Sequence, residues 1–228
     1  MTLAANLSSI RAEIAAACRR VERDPRAVRL VAVSKTKPAS LIDEAFAAGQ
    51  RLFGESYVQE FLDKADAVRN PVDWHFIGHL QSNKVKYLRG RIAMIHSVDR
   101  LSLAEEIDRQ WGRLGRSVEV LVQVNLGEED SKSGVAENQA TELVRALAAL
   151  PHLRVRGLMC LPPFFADAEE VRPFFRRLRA LAAAISALGL PGVAMDELSM
   201  GMSHDFAVAV EEGATLVRIG TAIFGERG

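Results

Sequence analysis

The 228-residue chain has room for one large domain or two small ones, and its make-up (49% hydrophobic, 25% charged) is that of an ordinary globular protein. Lysine plus arginine and aspartate plus glutamate both number 29, so no net field draws in nucleic acid or an anionic membrane surface. Two cysteines make no disulfide framework, no apolar run approaches the roughly 20 residues of a membrane span, and the amino terminus lacks a signal-peptide layout. The expected location is the cytoplasm.

Leu3, Leu7, Ile10, Ile14, Cys18 and Val21 recur at three- and four-residue intervals and predict a helix over 1–23, stopped by Asp24-Pro25. Arg29-Leu-Val-Ala-Val-Ser-Lys35 then reads as a strand buried on both faces, followed by a helix over 39–48 that Gly49 closes. Further strands are predicted at 51–56, 73–79, 92–98, 118–125, 153–160, 195–200 and 215–220. Helices are predicted between them at 57–65, 82–88, 101–114, 137–150, 169–188 and 204–212.

Eight strands alternating with helices imply parallel pairing through right-handed crossovers. No linker or low-complexity tract interrupts them, and no Gly-rich dinucleotide fingerprint follows the first strand. The expected fold is α/β: a closed (β/α)8 TIM barrel, one domain over 1–228, with the extra amino-terminal helix packed on it.

In such a barrel the ligand crevice lies at the carboxyl ends of the strands, and phosphate commonly binds after the seventh and eighth. Lys35 ends the first strand, where a partly desolvated amine can form a Schiff base; a lysine merely leaving the barrel for water fits the position too. After the seventh strand, Ser199-Met-Gly-Met-Ser203 opens onto a helix, with Gly201 permitting close backbone approach and Ser203 as the expected cap. Gly220 and Thr221 after the eighth strand add N–H and hydroxyl donors.

Arg218 alternates onto the inward side with Leu216 and Gly220 and needs a partner, either a carboxylate such as Glu197 or a ligand. An amine, an inward arginine and a phosphate cradle together describe a site for pyridoxal 5′-phosphate (PLP). A metal site at His75 and His79 lacks a third ligand, and the arginines of 172–179 read as the polar face of a helix.

Val31-Ala-Val-Ser-Lys-Thr, Phe53-Gly-Glu-Ser-Tyr-Val-Gln-Glu, His75-Phe-Ile-Gly-His-Leu-Gln-Ser-Asn-Lys, Ser131-Lys-Ser-Gly, Leu198-Ser-Met-Gly-Met-Ser and Val217-Arg-Ile-Gly-Thr-Ala-Ile-Phe-Gly resemble the pyridoxal phosphate homeostasis proteins. These are single-domain relatives of the alanine racemase barrel. The resemblance implies a Schiff base on Lys35, Arg218 facing the pyridine nitrogen, and phosphate held by Ser199, Gly201, Ser203, Gly220 and Thr221. The motif residues Met200, Ser56 and His79 complete the implied contact set. Ser56 stands where the family usually has asparagine; the serine keeps a hydroxyl at that position but loses the amide.

An arginine beside the ring nitrogen disfavours its protonation and makes the ring a poorer electron sink. The related racemases also bring a second acid/base from another domain. None is expected in this chain, whose tyrosines Tyr57 and Tyr87 read as packing residues. The expectation is therefore a cytoplasmic, monomeric PLP carrier that binds no nucleic acid or membrane, with PLP-dependent apo-enzymes as recipients. A PLP-dependent amino-acid racemase and a barrel for another phosphorylated ligand are the alternatives. Lys37, Lys84 and Lys132 read as solvated lysines, with transient receipt of cofactor as their other reading.

Overall fold

The computed structural model describes residues 2–127 and 133–226. After α1 (Leu3–Arg20), strands β1 (Arg29–Val33), β2 (Leu52–Glu55), β3 (Asp73–Phe76), β4 (Met94–Val98) and β5 (Val118–Asn125) alternate with helices α2 (Ala39–Ala47), α3 (Val58–Ala67), α4 (Val85–Leu88) and α5 (Leu101–Gly112). A two-residue β6 (Val135–Ala136) leads into α6 (Glu137–Ala148). Then come β7 (Leu153–Cys160), α7 (Arg172–Ser186), β8 (Val193–Ser199), α8 (Phe206–Glu211), β9 (Leu216–Ile219) and α9 (Thr221–Phe224).

The strand order β4-β3-β2-β1-β9-β8-β7-β5 is closed by pairing of β4 with β5, all parallel. The result is a (β/α)8 TIM barrel preceded by one helix. The short β6 only extends the edge of β5, through Val124 and Asn125. It and α9 escaped the sequence reading because neither is long enough to show a period.

Two apolar layers hold the barrel. Alternate residues point inward, and Val31, Met94, Leu121, Met159 and Leu216 fill the inside. The other set faces the helices: Trp74 of β3 packs at 6.0 Å from Phe53 of β2 and edge-on at 5.7 Å from Phe61 of α3. That cluster seats α3, and truncating Phe61 to alanine is expected to cost about 3–5 kcal/mol. Helix α1 buries Leu3, Leu7, Ile10, Ile14 and Cys18 as its spacing predicts, and Asn6 ties it to α9 through the Ile223 carbonyl at 2.9 Å.

The arginine-rich helix α7 is a surface element. Arg172 bonds Glu169, Glu211 and Glu212, and Arg176 also reaches Glu212. Both cysteines are free and buried, and burial pushes the Cys160 thiol up to about 12, which leaves it unreactive.

Candidate cofactor-binding site

Lys35 lies two residues beyond the end of β1, after Ser34, and is half-buried at the carboxyl-end mouth of the barrel. Val33 pairs with Gly54 across β1 and β2, so Lys35 comes level with Ser56, one inward position above that pair. Val31 pairs with Arg218 across β1 and β9. The lysine and the arginine therefore project into one barrel from neighbouring strands, Lys35 at the rim and Arg218 on the floor.

Arg218 is enclosed, 4% exposed, and its partner is not Glu197. Glu197 is engaged by Arg29 at 2.5 Å and by the Thr215 hydroxyl at 2.6 Å. Arg218 instead donates to Ser199 Oγ at 2.6 Å and to the Cys160 carbonyl at 2.9 Å. A guanidinium carries five N–H groups, so these two acceptors leave donors over for a ligand. Burial lowers its pKa, with the Cys160 and Asp205 side chains pulling the other way.

Ser199 is fully buried, and its hydroxyl is held between Arg218 and His96 rather than turned to the crevice. His96 continues to His75, Nε2 to Nδ1 at 2.8 Å. The four side chains form one hydrogen-bonded row through the barrel interior. Burial carries the His75 pKa down to about 3 and that of His96 well below its usual value, so both rings are neutral. Sequence reading missed this row, because histidines on β3 and β4 and a serine on β8 meet only once the barrel closes.

After β8 the chain turns through Met200, Gly201, Met202 and Ser203. Helix α8 begins at Phe206, with Asp205 rather than Ser203 as the residue before it. Asp205 Oδ1 accepts from the Met202 N–H at 2.6 Å, which ends the turn two residues later than its sequence suggested and leaves His204 outside the helix. Gly201 has φ +91°, and a Cβ there would stand 2.5 Å from Ala209 Cβ, so only glycine fits. The Gly201 carbonyl accepts the Arg218 N–H at 3.0 Å, which binds this turn to β9. Met200 is buried, Ser203 half-buried, and Thr221 exposed beyond Gly220 at the start of α9.

Ser56 and His79 lie on the opposite rim. Strand β3 ends at Phe76, so His79 sits on a loop and does not share a strand face with His75. Gly78 presses on the Ser56 backbone, where a Cβ would be 2.1 Å from the Ser56 carbonyl oxygen. Ser56, His79, Gln123 and Ser133 line a cleft of about 320 Å³, with His79 Nδ1 at 3.1 Å from Ser133 Oγ. A neighbouring cleft of about 640 Å³ is lined by Tyr57, Lys84 and Tyr87.

Both tyrosines are exposed, 57% and 41%, so neither packs as its helical position suggested. Lys37 donates to the Glu226 carbonyl at 2.6 Å, and Lys84 lies beside the Tyr87 ring. Ser131 and Lys132 lie outside the described residues. Among the described residues no group of three histidine, cysteine, aspartate or glutamate side chains is placed to hold a metal.

The model of the alanine racemase N-terminal domain family matches residues 5–228. The pyridoxal phosphate homeostasis protein of Aquifex aeolicus is 45% identical over 228 residues, covering 100% of this chain and 99% of the relative. That of Pseudomonas aeruginosa is 46% identical over 227 residues, covering 99% and 96%. The chain belongs to the pyridoxal phosphate homeostasis protein family.

Among solved members of this fold, PipY of Synechococcus elongatus with PLP bound is similar at 39% identity and a TM-score of 0.87, covering 98% of this chain and 100% of PipY. An unknown protein from Bifidobacterium adolescentis is similar at 35% identity and a TM-score of 0.92, covering 97% and 94%. Diaminopimelate decarboxylase of M. jannaschii shares the fold at 14% identity, and this chain covers 60% of it.

Proposed function

We propose that the chain binds pyridoxal 5′-phosphate as a Schiff base on Lys35 and serves intracellular homeostasis of that cofactor as a carrier with little or no catalysis. The observation that carries this reading is the placement of Lys35 at the mouth of the barrel, beyond the end of the strand next to the one that carries Arg218 on its floor. It is supported by relatives that bear the homeostasis name and by a 39% identical structure, PipY, solved with PLP bound.

The donor set suits the group. When bound, PLP supplies an aldehyde for an amine and a ring that takes up carbanion electrons. Lys35 supplies the amine. Arg218 faces the ring nitrogen and, as a cation, opposes its protonation, which blunts the ring as an electron sink. The turn at Gly201 and Ser203 and the start of α9 at Gly220 and Thr221 hold the phosphate through N–H and hydroxyl donors. Asp205, the carboxylate of that turn, is directed to Met202 and not to the anion. Met200 shapes the wall, while Ser56 and His79 line the rim. Ser199 contributes through Arg218.

Within this reading the chain is one domain over 1–228, a cytoplasmic monomer from which PLP-dependent apo-enzymes take the cofactor. Among the described residues no helix is long and apolar enough to cross a membrane.

An absorbance spectrum of the purified protein with added PLP tests the proposal. It predicts a visible band that Lys35→Ala abolishes, and an unchanged enantiomer ratio when L-alanine is supplied. A protein that stays colourless overturns it. The alternative of an amino-acid racemase rests on Tyr57, an acid/base exposed on the rim next to Ser56. Racemisation that Tyr57→Phe removes would establish that alternative.

A further inference from the structure

The wall behind Lys35 contains a buried ion pair that the cofactor site does not use. Lys64 of α3 is on the outside of the barrel, with 9% of its side chain exposed, and Glu55 at the end of β2 is fully buried. An ammonium has three donors, and the structure gives Lys64 three acceptors. They are Glu55 Oε1 at 2.7 Å, Glu60 Oε2 at 2.9 Å and the Ser34 carbonyl at 2.6 Å.

Each contact leads to a neighbour of Lys35. Ser34, the residue before it, is gripped at its carbonyl by Lys64 and at its hydroxyl by Glu55 Oε1, 2.6 Å away. Thr36, the residue after it, donates its N–H to Glu60 Oε2 at 2.7 Å. Lys35 is the residue between these two held positions.

Two features at this spot are costly. Thr36 has φ +64°, a conformation that β-branched residues avoid and that only Glu22 shares among the described non-glycine residues. A buried lysine–glutamate pair is seldom the most stable filling of its volume, and here Glu55 Oε2 lacks a partner. Burial raises the Glu55 pKa, with Lys64 and Ser34 opposing it. Both features meet on one three-residue segment, and the central residue of that segment is Lys35.

We propose that Lys64, with Glu55 and Glu60, is a positioning device for Lys35: it holds Ser34 and Thr36 so that the strained turn aims the Lys35 amine into the barrel. Lys64 touches neither cofactor nor substrate. It also neutralises Glu60, whose carboxylate is within electrostatic reach of Lys35. The use of that amine rests on the PLP reading above, but the clamp does not, and the test separates them.

The test uses the double variant Lys64→Met/Glu55→Gln, which removes the pair without stranding a buried charge, and the triple variant that adds Thr36→Gly. Two quantities are read: hydrogen exchange at the Thr36 amide without cofactor, and the rate of borohydride-trapped PLP adduct formation at Lys35. In the double variant, exchange is expected to rise and capture to slow, each about tenfold or more.

Glycine takes φ +64° without a clamp, so Thr36→Gly should recover the capture rate while the melting temperature stays where the double variant left it. If the double variant does not fold, Glu60→Gln, at a partly exposed site, is expected to show the same two effects more weakly. Wild-type exchange or capture in the double variant, or in Glu60→Gln where that replaces it, overturns the clamp, as does slowed capture that glycine fails to recover. A wild-type protein that traps no PLP at Lys35 overturns the PLP reading instead, and the exchange measurement still judges the clamp.

Discussion

Arg218 Nη1 donates to Ser199 Oγ at 2.6 Å inside the barrel, where the serine is wholly enclosed. The same hydroxyl lies 2.9 Å from His96 Nδ1. A guanidinium only donates, and every member of the row is paired when the serine proton goes to His96 Nδ1 and His96 Nε2–H donates to His75 Nδ1. That arrangement keeps both rings neutral.

Ser199→Ala breaks the row at its centre, leaving an arginine N–H and His96 Nδ1 without partners. The expected cost is about 1–3 kcal/mol of unfolding free energy, read by urea titration. Arg218 should also lose its fixed pose, so the bound-cofactor absorbance is expected to shift while the Lys35 adduct persists. A variant as stable as wild type, with an unaltered spectrum, would contradict the row's role.

The two histidines make stability depend on pH. Unfolded, His75 titrates near 6.5; folded, near 3. Between those values the unfolded chain binds more protons, so the contribution is complete above pH 6.5 and declines as pH falls toward 3. The slope is up to about 1.4 kcal/mol per pH unit for each histidine, and His96 acts in the same direction. Urea midpoints across that window should fall with acid, and His75→Gln should flatten the slope. An unflattened slope assigns the acid sensitivity elsewhere.

Gly201→Ala places a methyl 2.5 Å from Ala209 Cβ on a backbone at φ +91°. A loss of about 1–3 kcal/mol or more is expected from the strained backbone, together with looser packing of the turn after β8. The affinity for PLP should fall further than that for pyridoxal, which lacks the phosphate. Equal losses for both ligands would place the phosphate away from this turn.

Much of the barrel is legible in the sequence, for identifiable reasons. Strands β5 and β7 occupy Val118–Asn125 and Leu153–Cys160 as their apolar runs predict. Arg218 is recognisable as inward from its alternation with Leu216, and Lys35 from the end of the run before it. Local competition set the ends that were misread. Ile77 continues the apolar pattern of β3, but Gly78 turns the chain against Ser56. Asp205 caps the turn that Ser203 was expected to cap.

The partners that decide the chemistry were not legible. Glu197 looked like the counter-ion of Arg218 but is engaged by Arg29 and Thr215. Lys64 and Ser34 are 30 residues apart, and Ser199 and His96 are 103 apart. No periodicity reports such meetings, because they follow from the closure of the barrel.

Borohydride reduction of the PLP-loaded protein, followed by peptide mass mapping, tests the central claim most directly, because it fixes the cofactor to whichever amine holds it. The account predicts one dominant adduct on the peptide containing Lys35 and its disappearance in Lys35→Ala. A dominant adduct on Lys37, Lys84 or Lys132, with Lys35 unmodified, would contradict it.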